Sequence, residues 1–129
     1  MKSLRYTVDK LLKGMKPVTV YPESLQAHYN RLPDSIEVVW QRDGGMIVGT
    51  IVADNFEFAT QGEGPAEFID MVNDAVATSY NIPESYRDEI KKFHTFIPRD
   101  EKDLEYLNNQ SILSAKYSVT KQAKAFEHA

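Results

Sequence analysis

Three short segments between residues 36 and 60, separated by tight-turn signals, constrain the fold more than any other feature of the chain. Residues 36–42 alternate apolar and polar side chains with the period of a half-buried β-strand. Asp43-Gly44-Gly45 follows, and an Asp-Gly pair supplies the positive φ of a hairpin turn. The segments that come next are a return strand over residues 46–53, a turn at Asp54-Asn55 and a third strand over residues 56–60. The pattern predicts an antiparallel meander.

An amphipathic stretch over residues 65–80 follows this meander. Gln61-Gly62-Glu63-Gly64 is expected to break the third strand, and Pro65 suits the first position of a helix. Apolar side chains then recur at intervals of three and four residues, at Phe68, Ile69, Val72, Ala75, Val76 and Tyr80. One face of the meander is the expected surface for this stripe, with Phe68, Val72, Ala75 and Val76 in contact. The prediction is an α+β fold.

The rest of the chain carries weaker local signals, and a length of 129 residues suits a single domain. We expect an N-terminal extension over residues 1–35, a core of meander and helix over residues 36–97, and a C-terminal helical segment over residues 98–129. The individual expectations are helices over residues 4–13, 23–30, 84–92 and 100–108, an extended segment over residues 16–21, a fourth strand at Phe93–Ile97 and a helical tail after Ser111.

The composition limits the classes of protein to which the chain can belong. The chain has no cysteine, which excludes disulfides, thiolate metal sites and a cysteine nucleophile, and which suits a reducing compartment. The apolar runs are only a few residues long, far short of the roughly 20 that cross a bilayer, and the N-terminus does not read as a signal peptide. A cytoplasmic location is expected.

The residues that could act in catalysis or in metal binding lie far apart in the sequence. His28, His94 and His128 lie far apart, and no HExxH pattern is present. The glycines at positions 62 and 64 precede a helix but do not complete a phosphate-binding motif. We therefore expect no catalytic residue, no metal site and no cofactor.

Negative charge is concentrated in the middle of the chain. Residues 36–82 contain eight Asp and Glu residues against the single cation Arg42, a balance of −7. The acids nearest the predicted helix are Glu63, Glu67, Asp70 and Asp74. They either form a solvated surface or steer a basic protein partner toward this part of the molecule.

The stretch from about residue 35 to residue 80 resembles the HicB-like antitoxin family. The matching residues are Val38-Val39-Trp40, Asp43-Gly44-Gly45, Met46–Val52, Thr60-Gln61-Gly62-Glu63, and Glu67 through Ala75-Val76. The resemblance implies a partial RNase H-like β-β-β-α-β module. It also implies that the protein neutralises a small basic RNA-cleaving toxin with a double-stranded-RNA-binding-like fold, and that a separate C-terminal segment binds operator DNA.

The C-terminal region offers a candidate for such a segment. Residues 113–122 resemble the core of a helix–turn–helix, with Ser118-Val119-Thr120 at the turn. The candidate DNA-binding residues are Lys116, Thr120, Lys121 and Lys124. The alternative is a terminal helix that docks on the core or forms a homodimer.

Three functions remain open from the sequence. The leading hypothesis is a non-enzymatic protein-binding module that acts like an antitoxin. The second is a stand-alone structural or accessory protein with the same fold, and the third is a small hydrolase or nuclease.

Overall fold

The predicted meander forms the greater part of an antiparallel sheet in a computed structural model, which describes residues 20–93 and 95–121. The predicted helix over residues 4–13 and most of the extended segment over residues 16–21 lie outside these ranges, as do His94, Lys124 and His128. In chain order the described elements are α1 (Pro22–Arg31), β1 (Ser35–Asp43), β2 (Met46–Ala53), β3 (Phe56–Glu63), α2 (Gly64–Ser79), α3 (Glu84–Lys91), α4 (Glu101–Asn108) and β4 (Ser114–Thr120).

The sheet contains four strands in the order β3-β2-β1-β4 in the described part of the chain, and each neighbouring pair is antiparallel. Both predicted turns are confirmed as two-residue connections. Asp43 pairs with Met46 around Gly44, whose φ is +64°, and Ala53 pairs with Phe56 around Asp54, whose φ is 52°. Positive φ at these turns matches the twist of the strands that they join.

The third strand is longer than predicted, because residues 61–63 continue the pairing with β2 instead of breaking it. Gly62 allows this arrangement. A Cβ atom at this position would lie 2.6 Å from the backbone nitrogen of Phe68, closer than non-bonded atoms can approach. A glycine in the strand therefore lets α2 turn back directly over the end of β3.

The predicted amphipathic helix is confirmed as α2, and it packs on the sheet through its apolar stripe. Phe68, Val72 and Val76 are fully buried, and Ala75 is partly buried beside them. Gly49 of β2 makes room for the Phe68 ring, since a Cβ atom there would lie 2.6 Å from Cζ of the ring. Burying side chains of this size stabilises the fold by about 1.5–3 kcal/mol each.

The predicted fourth strand at Phe93–Ile97 is wrong, because these residues form a turn and an irregular segment where they are described. Asn73 of α2 holds this segment in place. Its side-chain Oδ1 accepts a hydrogen bond of 2.8 Å from the backbone N–H of Phe96, and both residues are buried. A side-chain amide thus takes the backbone donor that a strand would have used in a ladder.

The fourth strand is instead β4, so the expected helical tail and the helix–turn–helix are wrong over residues 114–120. Tyr117 and Val119 are buried and alternate with exposed polar residues, which is the period of a strand. Tyr117 pairs with Val38 of β1, so the segment after residue 98 contributes to the same sheet as the meander. The helix predicted at residues 100–108 is confirmed as α4, capped by the Asp100 carboxylate, which accepts from the N–H of Lys102 at 2.9 Å.

The helices predicted at residues 23–30 and 84–92 are confirmed as α1 and α3, and they pack against each other. Helix α3 also contacts α2, and α4 contacts both α2 and β4. The core therefore lies on the sheet face that α2 covers. Within the described ranges, no helix combines the length and apolar character that crossing a bilayer requires.

Candidate functional site

The opposite face of the sheet is not covered by any helix in the described part of the chain. Its central residue, Val39, is 47% exposed, whereas the adjacent Val38 is fully buried against the helices. We call this surface the open face. The strand pairing places on it the side chains of Ser35, Glu37, Val39, Gln41 and Asp43 of β1, Met46, Val48, Thr50 and Val52 of β2, Glu57, Ala59, Gln61 and Glu63 of β3, and Ser114, Lys116, Ser118 and Thr120 of β4.

The strand register arranges these side chains in rows that cross the sheet. In the middle row Val39 lies between Lys116 and Thr50, and Ala59 follows on β3. The next row contains Gln41, which lies between Ser114 and Val48, and ends at Gln61. Because these side chains are uncharged, apart from Lys116, the centre of the open face carries little charge.

Carboxylates lie at the two ends of the open face. At one end Glu37 and Glu57 flank Val52, and at the other end Asp43 and Glu63 flank Met46. These four acids face a single cation among the described residues of the surface, Lys116, whose Nζ lies 3.8 Å from Oε2 of Glu37. The open face therefore has an excess of negative charge at both ends.

The four acids near the predicted helix, Glu63, Glu67, Asp70 and Asp74, do not all lie on one surface of the structure. Glu63 lies on the open face, and its N–H donates to Oε1 of Glu67 at 2.8 Å across the start of α2. Asp70 and Asp74 lie farther along α2 and face α3. Their carboxylates lie 3.6 Å and 4.0 Å from the ammonium of Lys91. Cations of the same protein thus compensate part of the acidic charge on α2.

Among the candidate DNA-binding residues of the described ranges, Lys116 and Thr120 lie on the same face of β4, and Lys121 follows the strand. Lys116 is exposed on the open face, and Thr120 lies at the end of β4, where its carbonyl accepts from Arg99 at 2.9 Å. The ammonium of Lys121 donates to the carbonyl oxygens of Tyr29 and Leu32 at 3.0 Å and 2.8 Å. Burial lowers the pKa of Lys121, whose side chain is only 9% exposed. Lys121 therefore stabilises the C-terminal end of α1.

The histidine within the described ranges, His28, contacts Arg31 of its own helix and Tyr86 of α3. The Nδ1 atom of His28 lies 2.7 Å from a guanidinium nitrogen of Arg31, and its ring packs edge-on against Tyr86. Burial and the nearby Arg31 charge lower the pKa of His28. Within residues 20–93 and 95–121, no three His, Cys, Asp or Glu side chains come together as they would around a metal ion.

A cavity of about 390 Å³ lies between α2 and α4. Ile69, Ile97 and Leu104 provide an apolar lining, and Asp70 and Lys91 contribute the charged groups. Those two groups form an ion pair with each other. The lining contains no Ser, Cys or His that could act as a nucleophile or base next to them.

The motifs and the charge pattern do not indicate the central residues of the open face, although the composition of β2 carries a signal for them. A strand with one solvated face alternates apolar and polar residues, but MIVGTIVA is apolar at nearly every position. Val48 and Val52 point away from the core and are only partly buried. An apolar residue on both sides of a strand predicts contact on both sides of the sheet.

We compared the chain with protein-family models, with curated proteins and with solved structures, and none of the three comparisons found a match.

Proposed function

We propose that this protein is a non-enzymatic binding module whose open face binds a basic protein. The observation that supports the proposal is the open face itself, where exposed Val39, with Val48 and Ala59 on the same face, lies between two pairs of carboxylates. An apolar centre that excludes water, bordered by charged groups, is the usual composition of a protein–protein interface. The acidic ends favour a partner of positive charge.

A nucleic acid is a poor match for this surface. Phosphates require clustered Lys and Arg, whereas the described part of the open face contains only Lys116 among four carboxylates. A second copy of the same face is also disfavoured, because face-to-face pairing would bring acidic ends together. These arguments favour a different protein with a basic surface.

The resemblance to HicB-like antitoxins agrees with the sign of this charge. It implies a small basic RNA-cleaving toxin as the partner, and a toxin of that kind would be attracted to the acidic ends of the open face. The identity of the partner as a toxin is carried by the resemblance alone. The open face supports the broader proposal of a basic protein partner.

The experiment uses the protein that co-purifies with the tagged full-length chain from its own cells, identified and then produced in pure form. Binding of the two pure proteins is measured for the wild type and for Val39→Arg, which places a long cation at the centre of the open face. The residues near the centre of an interface include the hot spots, whose loss costs about 2 kcal/mol or more, so we expect the affinity to fall by at least about tenfold.

The control variants show which surface of the protein the partner contacts. Tyr21→Arg adds the same charge at another exposed apolar position, which is 57% exposed and outside the sheet, and it should bind as the wild type does. The triple variant Glu67→Gln, Asp70→Asn and Asp74→Asn removes the acids of α2. If the triple variant abolishes binding and Val39→Arg does not, the partner binds α2 and the proposal for the open face is wrong.

A further inference from the structure

The spacing of the charges on the open face limits the shape of the element that can bind there. Glu37 and Asp43 are six residues apart on β1, and Glu57 and Glu63 are six residues apart on β3. At about 3.4 Å per residue, each pair is separated by about 20 Å along the strands. Between these ends Lys116 is the one charged side chain among the described residues of the surface, and the acids lie at both ends of β1 and β3.

The width of the open face limits what can lie on it. Four strands about 4.8 Å apart span about 14 Å between the outer strand axes. An α-helix with its side chains has a diameter of about 10–12 Å, and it covers 20 Å in about 13 or 14 residues. One helix therefore fits along the strands, whereas two helices side by side exceed the width.

A helix also satisfies the chemistry of a sheet face better than an extended segment does. The open face presents side chains, because the backbone groups of the two inner strands, β1 and β2, are already used in the ladder. An extended segment would need an edge strand for its own N–H and C=O groups, whereas a helix satisfies its backbone internally. The opposite face of the same sheet already packs a helix, α2.

From these observations, and resting on the function proposed above, we infer that the element bound on the open face is an amphipathic α-helix that lies along the strands. Its basic residues are at the two ends, about 13 positions apart, where they meet Glu37 with Glu57 and Asp43 with Glu63. Its central residues are large and apolar, because Val39, Thr50 and Ala59 are short and leave room above them.

The test uses two synthetic helical peptides of identical composition. In the first, two lysines lie at each end of the apolar stripe, about 13 residues apart, and in the second, all four lysines lie in the middle. Binding to the full-length protein is measured by fluorescence anisotropy at low and at high salt. We expect the first peptide to bind at least about tenfold more tightly than the second, and the difference to shrink at high salt.

Variants of the protein test the two ends separately. One double variant is Glu37→Gln with Glu57→Gln, and the other is Asp43→Asn with Glu63→Gln. Each should lower the affinity for the first peptide about tenfold and leave the affinity for the second peptide nearly unchanged. Equal affinities of the two peptides, or an effect confined to one end, would overturn the inference. If the peptides fail in this way but Val39→Arg still weakens binding of the purified protein partner, the proposed function stands and only the inferred helix is wrong. If Val39→Arg does not weaken that binding either, the proposed function and the inferred helix are both wrong.

A third variant distinguishes the chain's own N-terminal residues from a partner. The sequence of residues 4–13 predicts a helix that carries Lys and Arg beside an apolar stripe. We expect Leu4→Glu with Leu11→Glu to leave the affinity of the first peptide unchanged. If the peptide binds only to this double variant, the chain's own segment occupies the open face and the inference of a partner helix is wrong.

Discussion

Replacing Arg42 with methionine should destabilise the fold by about 3 kcal/mol, because this side chain ties β1 to the segment between α4 and β4. Its Nε donates to the carbonyl of Ile112 at 2.8 Å. Its Nη2 lies within hydrogen-bond distance of three further carbonyl oxygens, those of Tyr106, Leu107 and Asn109. The last carbonyls of a helix have no intrahelical donor, so the guanidinium supplies donors that the end of α4 lacks.

The magnitude follows from the number of bonds that Arg42 can make at full strength. A hydrogen bond to a charged group contributes about 1.5–3 kcal/mol, and one Nη2 shared among three carbonyl oxygens counts as about one such bond. With the Nε bond, the lower end of that range gives about 3 kcal/mol. The guanidinium also lies 5.2 Å from the centre of the Trp40 ring, which adds about 0.5–1 kcal/mol. Water that reaches the freed carbonyls offsets a similar amount.

Urea denaturation measures the change, and Arg31→Met is the matched control. Arg31 also donates to a carbonyl at a helix end, that of Tyr80 at 2.8 Å, but this bond is exposed to solvent. Its loss should cost no more than about 1 kcal/mol, since water replaces the donor. If Arg42→Met costs less than about 1 kcal/mol, or no more than Arg31→Met does, the side chain is not a main link between the hairpin and α4.

Three further substitutions have outcomes that the packing determines, each measured by urea or thermal denaturation. Gly62→Ala should cost about 3 kcal/mol or more, because its Cβ would meet the backbone of α2. Gly45→Ala is the control and should be tolerated, because its Cβ would meet no atom within 4 Å. Similar costs for the two substitutions would refute the role of Gly62 in the packing of α2. Asn73→Ala should cost about 1–3 kcal/mol, since it leaves the buried N–H of Phe96 without an acceptor, and a cost below about 1 kcal/mol would contradict this role. Tyr117→Phe should stabilise the protein by about 1 kcal/mol, because the buried hydroxyl has no hydrogen-bond partner among the described residues; destabilisation would show that the hydroxyl is satisfied.

The meander and α2 were predictable because their signals are local. Gly44 and Asp54 are residue types that favour turns and tolerate positive φ, and each lies between two strands that it joins. The apolar stripe of α2 likewise repeats within one helix. Such features require no knowledge of distant residues, and the structure confirms them with shifts of a few residues at the ends.

Strand β4 was missed because its identity depends on a distant partner. Tyr117 lies opposite Val38, so its pairing joins residues that are far apart in the chain. The local residues Ser114, Ala115 and Lys116 do not favour a strand strongly, and their sequence is compatible with a helix. Conversely, the residues from Phe93 to Ile97 have strand-like composition, but the side chain of Asn73 accepts from the backbone N–H of Phe96 in place of a neighbouring strand.

The candidate site was predictable in sign but not in position. A count of charges identifies the acidic middle of the chain, yet it does not show that Asp74 lies 3.8 Å from Arg87 of α3. That pairing depends on how α2 and α3 pack, which the sequence pattern does not specify. The exposed position of Val39 likewise depends on which face of the sheet α2 covers.

The open face and the core are built from the same strands, so the register of the strands determines both. A slip of one residue in β1 would bring Val39 toward the helices and expose Val38, because adjacent side chains of a strand point to opposite faces. The same slip would move Glu37 and Asp43 away from the open face. The two-residue turns at Gly44 and Asp54 fix this register on both sides of β2. The turn residues therefore determine where the proposed partner would bind, since they align the acidic ends of neighbouring strands.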